Sequence, residues 1–150
     1  MQPALNFTAY PLRTRLQNNR TEVFDIVRKR WFVLTPEEWV RQHVLHYLIT
    51  DKAYPATLLA VEKSITVNKL KKRCDIVAFD THARPLLVVE CKAPDVAITQ
   101  VVFDQIARYN LTLGVQILLV TNGLQHFCCS MDHEAQRYVF LKEIPRFQTP

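Results

Sequence analysis

Cys74-Asp75-Ile76-Val77-Ala78-Phe79, then Asp80-Thr81-His82-Ala83-Arg84-Pro85, then Leu86-Leu87-Val88-Val89-Glu90-Cys91-Lys92: two apolar runs on either side of turn chemistry decide how this chain folds. The simplest structure for the pattern is an antiparallel β-hairpin. Centring its loop between His82 and Ala83 sets Phe79 opposite Leu86, Val77 opposite Val88 and Asp75 opposite Glu90. With side chains alternating, Asp75, Glu90 and Lys92 share one face, and Cys74, Ile76, Val89 and Cys91 the other. Opposed residues have Cβ atoms roughly 5 Å apart, and like charges so placed need something positive between them. A divalent cation meets that need, because two carboxylates with room left for water suit Mg²⁺ or Mn²⁺. The plainer alternative is a solvated salt bridge in which Asp75 and Glu90 share Lys92. Both runs are apolar on both faces up to their charged ends, as in strands covered on two sides, and this favours the metal.

The flanking sequence supplies the rest of a fold. Leu58 to Val67 reads as a preceding strand, followed by Lys69, Lys71, Lys72 and Arg73 at the mouth of the carboxylate pair, where positive charge would draw in a phosphodiester. The same four residues also suit a solvated turn. After Lys92, Pro94-Asp95 opens a helix to about Asn110, and Gly114 leads into a buried strand, Val115 to Val120. This is a βαβ unit, with the Val115 strand parallel to the Leu86 strand. Gln105 and Tyr109, four apart, share a helix face with Val102 and Ile106. Thr121-Asn122-Gly123 is a turn, and Gln125 to Cys129 with Gln136 to Leu141 form a C-terminal hairpin, spanning about 124–142. Upstream, Thr35-Pro36-Glu37-Glu38 carries the marks of a capping box and starts a helix with Trp39, Val40, His43, Val44, Tyr47 and Leu48 on one face. Glu38 is then either the box partner or a carboxylate aimed at the metal site; Glu62 is either a surface residue or a third acidic group. An N-terminal hairpin is expected over 7–33. It ends in Arg28-Lys29-Arg30 beside Trp31, a basic run suited to a phosphate backbone or to plain solvation.

Composition sets the outer bounds. A chain of 150 residues, 49% hydrophobic and with only two glycines, suits one domain over 1–150 with its core at about 34–122. A net charge of +5 and a pI near 9.2 agree with a polyanionic partner and are also ordinary for a soluble protein. No apolar stretch has the length of a membrane span and residues 1–10 lack a signal-peptide core, so a cytoplasmic location is expected. Cys74, Cys91, Cys128 and Cys129 have no zinc-ligand spacing and read as buried free thiols.

The order helix, three-strand meander, helix, strand, with Asp75 on the second strand and Glu90-Cys91-Lys92 on the third, resembles the PD-(D/E)XK nuclease superfamily. Gln105-Ile106-Ala107-Arg108-Tyr109 matches the Gln-x-x-x-Tyr motif of its recombination-repair branch. More closely, Leu34-Thr35-Pro36-Glu37-Glu38-Trp39-Val40-Arg41-Gln42, Lys72-Arg73-Cys74-Asp75, Glu90-Cys91-Lys92-Ala93-Pro94 and Thr121-Asn122-Gly123 look like the N-terminal nuclease domain of type I restriction enzyme R subunits, in its short stand-alone form. The resemblance covers roughly residues 20 to 132. Cys74 stands where the superfamily motif has Pro, and a Gly-x-x-x-x-Gly-Lys loop is absent from the sequence, so ATP-driven restriction is not carried over.

The resemblance implies an α/β (α+β) restriction-endonuclease-like core with a mixed central sheet, flanked by the N- and C-terminal hairpins. It also implies a metal-dependent deoxyribonuclease. Mg²⁺ (or Mn²⁺) would be held by Asp75, Glu90 and the Cys91 backbone carbonyl, with Glu38 or Glu62 as further ligands. Lys92 would act on the attacking water, while Gln105 and Tyr109 position Lys92 or the backbone. The partners are then DNA and either a second copy of the chain or a larger nuclease/helicase assembly of a restriction-modification system, with no membrane. The competing hypothesis is a catalytically inactive nucleic-acid-binding or subunit-docking module that keeps the fold.

Overall fold

Three antiparallel strands open the fold: β1 (Thr14–Gln17), β2 (Arg20–Asp25) and β3 (Arg30–Val33). They belong to a computed structural model that describes residues 2–67 and 69–149, so both terminal residues and Asn68 lie outside it. The β1–β2 turn is Asn18-Asn19, both at positive φ (50° and 60°). This backbone matches the strand twist in a two-residue hairpin, and Asn tolerates it. The N-terminal hairpin gains a strand not foreseen from sequence, because Trp31 pairs opposite Phe24 and Phe32 opposite Val23 along the second edge of β2. Those aromatics sit where only a basic run had been legible.

α1 (Pro36–His46) starts where expected, with Thr35 Oγ1 accepting the Glu38 N–H at 3.0 Å. A π-helical turn, Tyr47–Asp51, prolongs it. Next come β4 (Leu59–Val67), β5 (Leu70–Phe79) and β6 (Pro85–Cys91), then α2 (Gln100–Leu113), β7 (Ile117–Thr121), β8 (His126–Asp132) and β9 (Arg137–Leu141). The last six strands form one sheet in sequence order. Every neighbouring pair is antiparallel except β6–β7, which runs parallel across the α2 crossover as the βαβ reading requires. The C-terminal hairpin is therefore part of the central sheet, with β8 paired along β7.

The sheet is covered on both faces. Val40, Val44, Leu45 and Leu48 from α1 and its extension pack on Ile76, Ala78, Leu87 and Val89. Phe103, Ala107 and Leu113 of α2 pack with Val77, Val88, Leu118 and Val120 on the opposite face. Burial on two sides is why the central strands read as continuous apolar runs. All four cysteines are free and buried. Among the described residues no helix is long and apolar enough to cross a membrane.

Two local expectations are corrected. Pro94 and Asp95 do not open α2: they sit in a turn closed by the Val96 N–H on the Ala93 carbonyl (3.0 Å), and the helix begins only after Thr99, whose Oγ1 caps Val102 at 3.2 Å. The helix ends on Gly114 at φ 77°, the left-handed position glycine favours. In the hairpin, Val77 opposes Val88 as expected, but a bulge after Ala78 sets Phe79 opposite Pro85 rather than Leu86. Asp80 accounts for it, since its Oδ1 accepts the N–H groups of His82 and Arg84 (2.8 and 3.0 Å) and draws the loop in.

Leu87, fully buried in the central strand β6, should cost roughly 2–5 kcal/mol of unfolding free energy when replaced by Ala, whereas Thr35→Ala should cost only ~1 kcal/mol for its lost cap. Urea unfolding followed by circular dichroism measures both, and a Leu87→Ala loss no larger than the cap's would contradict this core.

Candidate active site

The site is built where strand alternation fails. Val61 pairs with Ile76 and Lys63 with Cys74, while Glu62 between them sits at φ 51°. Such a backbone costs a non-glycine residue on the order of 1–3 kcal/mol. Cys74 then packs in the α2 layer and Ile76, two residues on, in the α1 layer. Asp75 and Glu90 consequently do not share a face as alternation predicts. Asp75 turns toward α1 from the middle of β5, and Glu90 toward α2 from the end of β6, just beyond the Ile76–Val89 pair.

Both oxygens of Asp75 are engaged: Oδ1 accepts from Arg41 Nη2 at 2.9 Å and Oδ2 from the Cys91 N–H at 2.7 Å. Arg41 is itself 5% exposed. Its Nη1 donates to both Glu38 oxygens (3.0 and 3.1 Å), and Nη2 also lies 3.3 Å from Glu37 and 3.5 Å from Glu62. Burial alone would lower the Arg41 pKa, but Glu38 and Asp75 more than reverse it and hold the guanidinium charged. Glu38 thus leaves the capping box half made. Its carboxylate serves Arg41 and Arg28 (2.9 Å), and the Thr35 N–H turns to the Val33 carbonyl.

Behind Glu38 lies Asp25, fully buried. It accepts from the N–H groups of Val27 and Arg28 (2.8 and 2.7 Å), from Arg28 Nε (2.9 Å) and from Gln42 Nε2 (2.8 Å). Burial pushes its carboxyl up, and these donors together outweigh burial and leave it below the usual range. The chain Asp25, Arg28 and Gln42, Glu38, Arg41, Asp75 ties the N-terminal sheet to the site. Sequence reading missed Arg41 and Asp25 as site supports. Arg41 had a signal, lying three and four residues after Glu38 and Glu37 on one helix face.

On the α2 side, Glu90 contacts Lys72 Nζ. Among the described residues that ion pair is the one contact of Glu90 Oε1, which is otherwise buried without a partner. Burial raises the Glu90 pKa, and Lys72 offsets it only in part. Lys72 Nζ lies 5.0 Å from the centroid of Tyr109, whose hydroxyl donates to the Lys71 carbonyl at 3.2 Å. Tyr109 therefore supports Lys72 rather than Lys92, and Gln105 on the same helix is exposed.

Lys92 is held by its backbone, the N–H donating to the Thr121 carbonyl at 2.8 Å. Its charge acts on both Glu37 and Glu90. Among the described residues its ammonium has no ion-pair partner, whereas Arg28, Arg41, Lys72 and Arg73 are all paired. The two expected basic clusters split accordingly. Arg28 and Lys72 turn inward, Arg73 takes Glu62 at 2.7 Å, and Lys29, Arg30, Lys69 and Lys71 stay exposed.

The donor set fits a hard divalent ion that keeps most of its water. Asp75 Oδ2 accepts the Cys91 N–H, and Glu90, the residue before Cys91, is near enough for the Asp75 charge to act on it. Among the described residues no three His, Cys, Asp or Glu side chains converge as a closed cage. Glu62 and Glu38 are instead satisfied by arginines.

A mixed sheet covered by a helix on each face, with Asp and Glu-x-Lys on adjoining strands, is a nuclease-like fold. The chain belongs to the family described as type I restriction enzyme R protein N terminus (HSDR_N), which matches residues 36–145. It is similar to the fragment structure of a "putative HsdR subunit of a type I restriction enzyme" from Vibrio vulnificus YJ016, at 21% identity and a TM-score of 0.52, over 75% of this chain and 24% of that one. It thus spans about a quarter of that fragment's length. A second structure, a "putative nuclease belonging to DUF820" from Anabaena variabilis ATCC 29413, matches at 12% identity and a TM-score of 0.48 over 87% of this chain and 76% of that one. No curated protein matches the chain.

Asp25, with its folded pKa below the ordinary 3.8, contributes stability that is present above that value and lost as pH falls through it toward the folded pKa. Asp25→Asn should remove about 3–5 kcal/mol at neutral pH, because Arg28 is left with a broken buried pair. It should also flatten the acid limb of stability against pH. Urea melts from neutral to acid pH test this, and a variant as acid-sensitive as wild type would place the acid transition elsewhere.

Proposed function

We propose that this domain hydrolyses DNA phosphodiester bonds with Mg²⁺ or Mn²⁺ held by Asp75, Glu90 and the Cys91 carbonyl. One observation carries the reading: where β5 and β6 cease to pair, beside Asp75 and Glu90, Arg41 and Lys72 are committed to ion pairs while the Lys92 ammonium has none among the described residues. The bound ion would polarise a phosphoryl oxygen and lower the pKa of a water ligand. The protein's own groups do the remainder. Arg41 and the Cys91 N–H orient the Asp75 carboxylate as outer-shell donors, leaving it further lone pairs. Lys92 offsets charge on the scissile phosphate and orients the attacking water. Tyr109 steadies Lys72 at the Glu90 side. The family membership supports a place in a larger restriction-type assembly.

A binding module without turnover is the second reading. It is favoured by one feature, the neutralisation of Asp75 by Arg41 and of Glu90 by Lys72.

Cleavage of supercoiled and linear DNA with Mg²⁺ or Mn²⁺ separates the two. Lys92→Ala should lower the rate by ~10²-fold or more with DNA affinity within a few-fold. Equal rates in wild type and variant, or no cleavage by either, would remove the nuclease reading. Independently of turnover, Mn²⁺ at a hundredfold excess over Kd should stabilise the fold by about 2.7 kcal/mol, a melting-temperature rise of roughly 5–10 °C. Asp75→Asn should lose most of that rise, and a wild-type melt indifferent to Mn²⁺ would count against the metal.

A further inference from the structure

Residues 13–33 hold six cations, Arg13, Arg15, Arg20, Arg28, Lys29 and Arg30, against Glu22 and Asp25, a surplus of four in a chain whose net charge is +5. Strand register sorts them by face. Arg15 lies opposite Glu22 and Phe24 opposite Trp31, so Arg13, Arg15, Arg20, Phe24 and Trp31 share the outer face of the sheet. Val23 and Asp25, both fully buried, mark the inner face. Arg13 extends β1, its carbonyl accepting the Phe24 N–H at 2.9 Å.

Two of the three outer arginines are stacked. Arg13 lies 4.6 Å from the centroid of Phe24, and Arg15 lies 4.3 Å from that of Trp31. A guanidinium lying on an aromatic face loses rotational freedom and keeps the N–H groups of its edge free, the fork that matches a phosphate bidentately. Among the described residues Arg13 and Arg20 have no carboxylate partner, and Glu22, 2.7 Å from Arg15, is the one acid on this face. Both rings are already covered by guanidiniums, so they do not offer the open platform on which single-stranded bases stack. The chemistry left over is phosphate binding along a duplex.

This sheet lies outside the residues that match the family, 36–145. It nonetheless adjoins the site. Arg28 bonds Glu38, Gln42 bonds Asp25, and Phe32 and Val33 of β3 wall an open groove whose other side is Glu37, Arg41 and Glu62.

We propose that the outer face of β1–β3 grips the phosphate backbone of duplex DNA beside the catalytic groove, through Arg13 and Arg15, held by Phe24 and Trp31, together with Arg20 on the same face. The proposal rests on DNA as the substrate of the adjoining site. Its positive charge complements the polyanion, and it needs no base contact.

Anisotropy of a short labelled duplex, titrated with protein in EDTA over a salt series, tests the surface without requiring cleavage. The variant Arg13→Gln/Arg15→Gln/Arg20→Gln, whose three side chains are exposed, should bind at least tenfold more weakly at low salt. The slope of log K against log salt should fall in magnitude by about 2–3, near 0.9 per phosphate contact. Arg84→Gln/Arg137→Gln, two exposed arginines remote from this sheet in sequence and paired to Asp80 and Asp132, should leave the slope unchanged. An unaltered slope in the triple variant, an equal loss in the control, tighter binding of single strands than of duplex, or no DNA binding by wild type would each overturn the proposal. If the triple variant misfolds by circular dichroism, Arg20→Gln alone should lower the slope by about one, and no change would overturn it equally. The expected slope loss in the triple variant, alongside a wild type that cleaves nothing, would leave this surface standing and remove the nuclease reading; cleavage by wild type with an unaltered slope in the variant would do the reverse.

Discussion

The Arg41 guanidinium is the point on which the site depends. Taking a charged group out of water costs several kcal/mol, and only surrounding counter-charges offset it. Arg41 finds them on three elements, Glu37 and Glu38 on α1, Glu62 on β4 and Asp75 on β5. Satisfying one buried cation therefore fixes the helix against two strands. It also sets the direction of Asp75, which the strand pleat alone would have sent to the other face.

The opposite face repeats the arrangement with a lysine. Lys72 neutralises Glu90 and is steadied by Tyr109 from α2. Each helix layer thus disciplines one of the two carboxylates, and the β5–β6 pairing of the sheet between them brings the two residues side by side. The unusual φ of Glu62 belongs to the same economy of space, since the irregularity it creates turns Cys74 into the α2 core and frees Asp75 for Arg41.

Lys92 is placed differently, through backbone. The parallel β6–β7 pairing sets its N–H on the Thr121 carbonyl, and the adjoining Asn122 amide donates to the Val96 carbonyl at 2.9 Å, holding the loop that follows Lys92. Asn122 Oδ1 meanwhile accepts the N–H groups of Leu124 and Gln125 (3.0 and 2.9 Å). The Thr121-Asn122-Gly123 block, read from sequence only as a turn, is the support on which Lys92 rests. Its position keeps an ammonium free, among the described residues, where Arg41 and Lys72 are spent on ion pairs.

Sequence alone determined the elements whose signals are local. Thr35-Pro36 fixed the start of α1, and the apolar runs around Asp75 and Glu90 fixed a hairpin in the right register at Val77 and Val88. Each depends on residues within a few positions of one another, so propensity and periodicity reach it. Tertiary structure decided the rest, because it depends on residues far apart in the chain meeting in one place. β3 required Trp31 to find Phe24, and Tyr109 had to choose between Lys72 and Lys92. Glu38 had two roles open to it, box partner or carboxylate aimed at the metal site, and took Arg28 and Arg41 instead once both guanidiniums lay beside it. Period-two alternation also assumed an unbroken pleat, and a single residue, Glu62 at φ 51°, broke it next to the residue that mattered most.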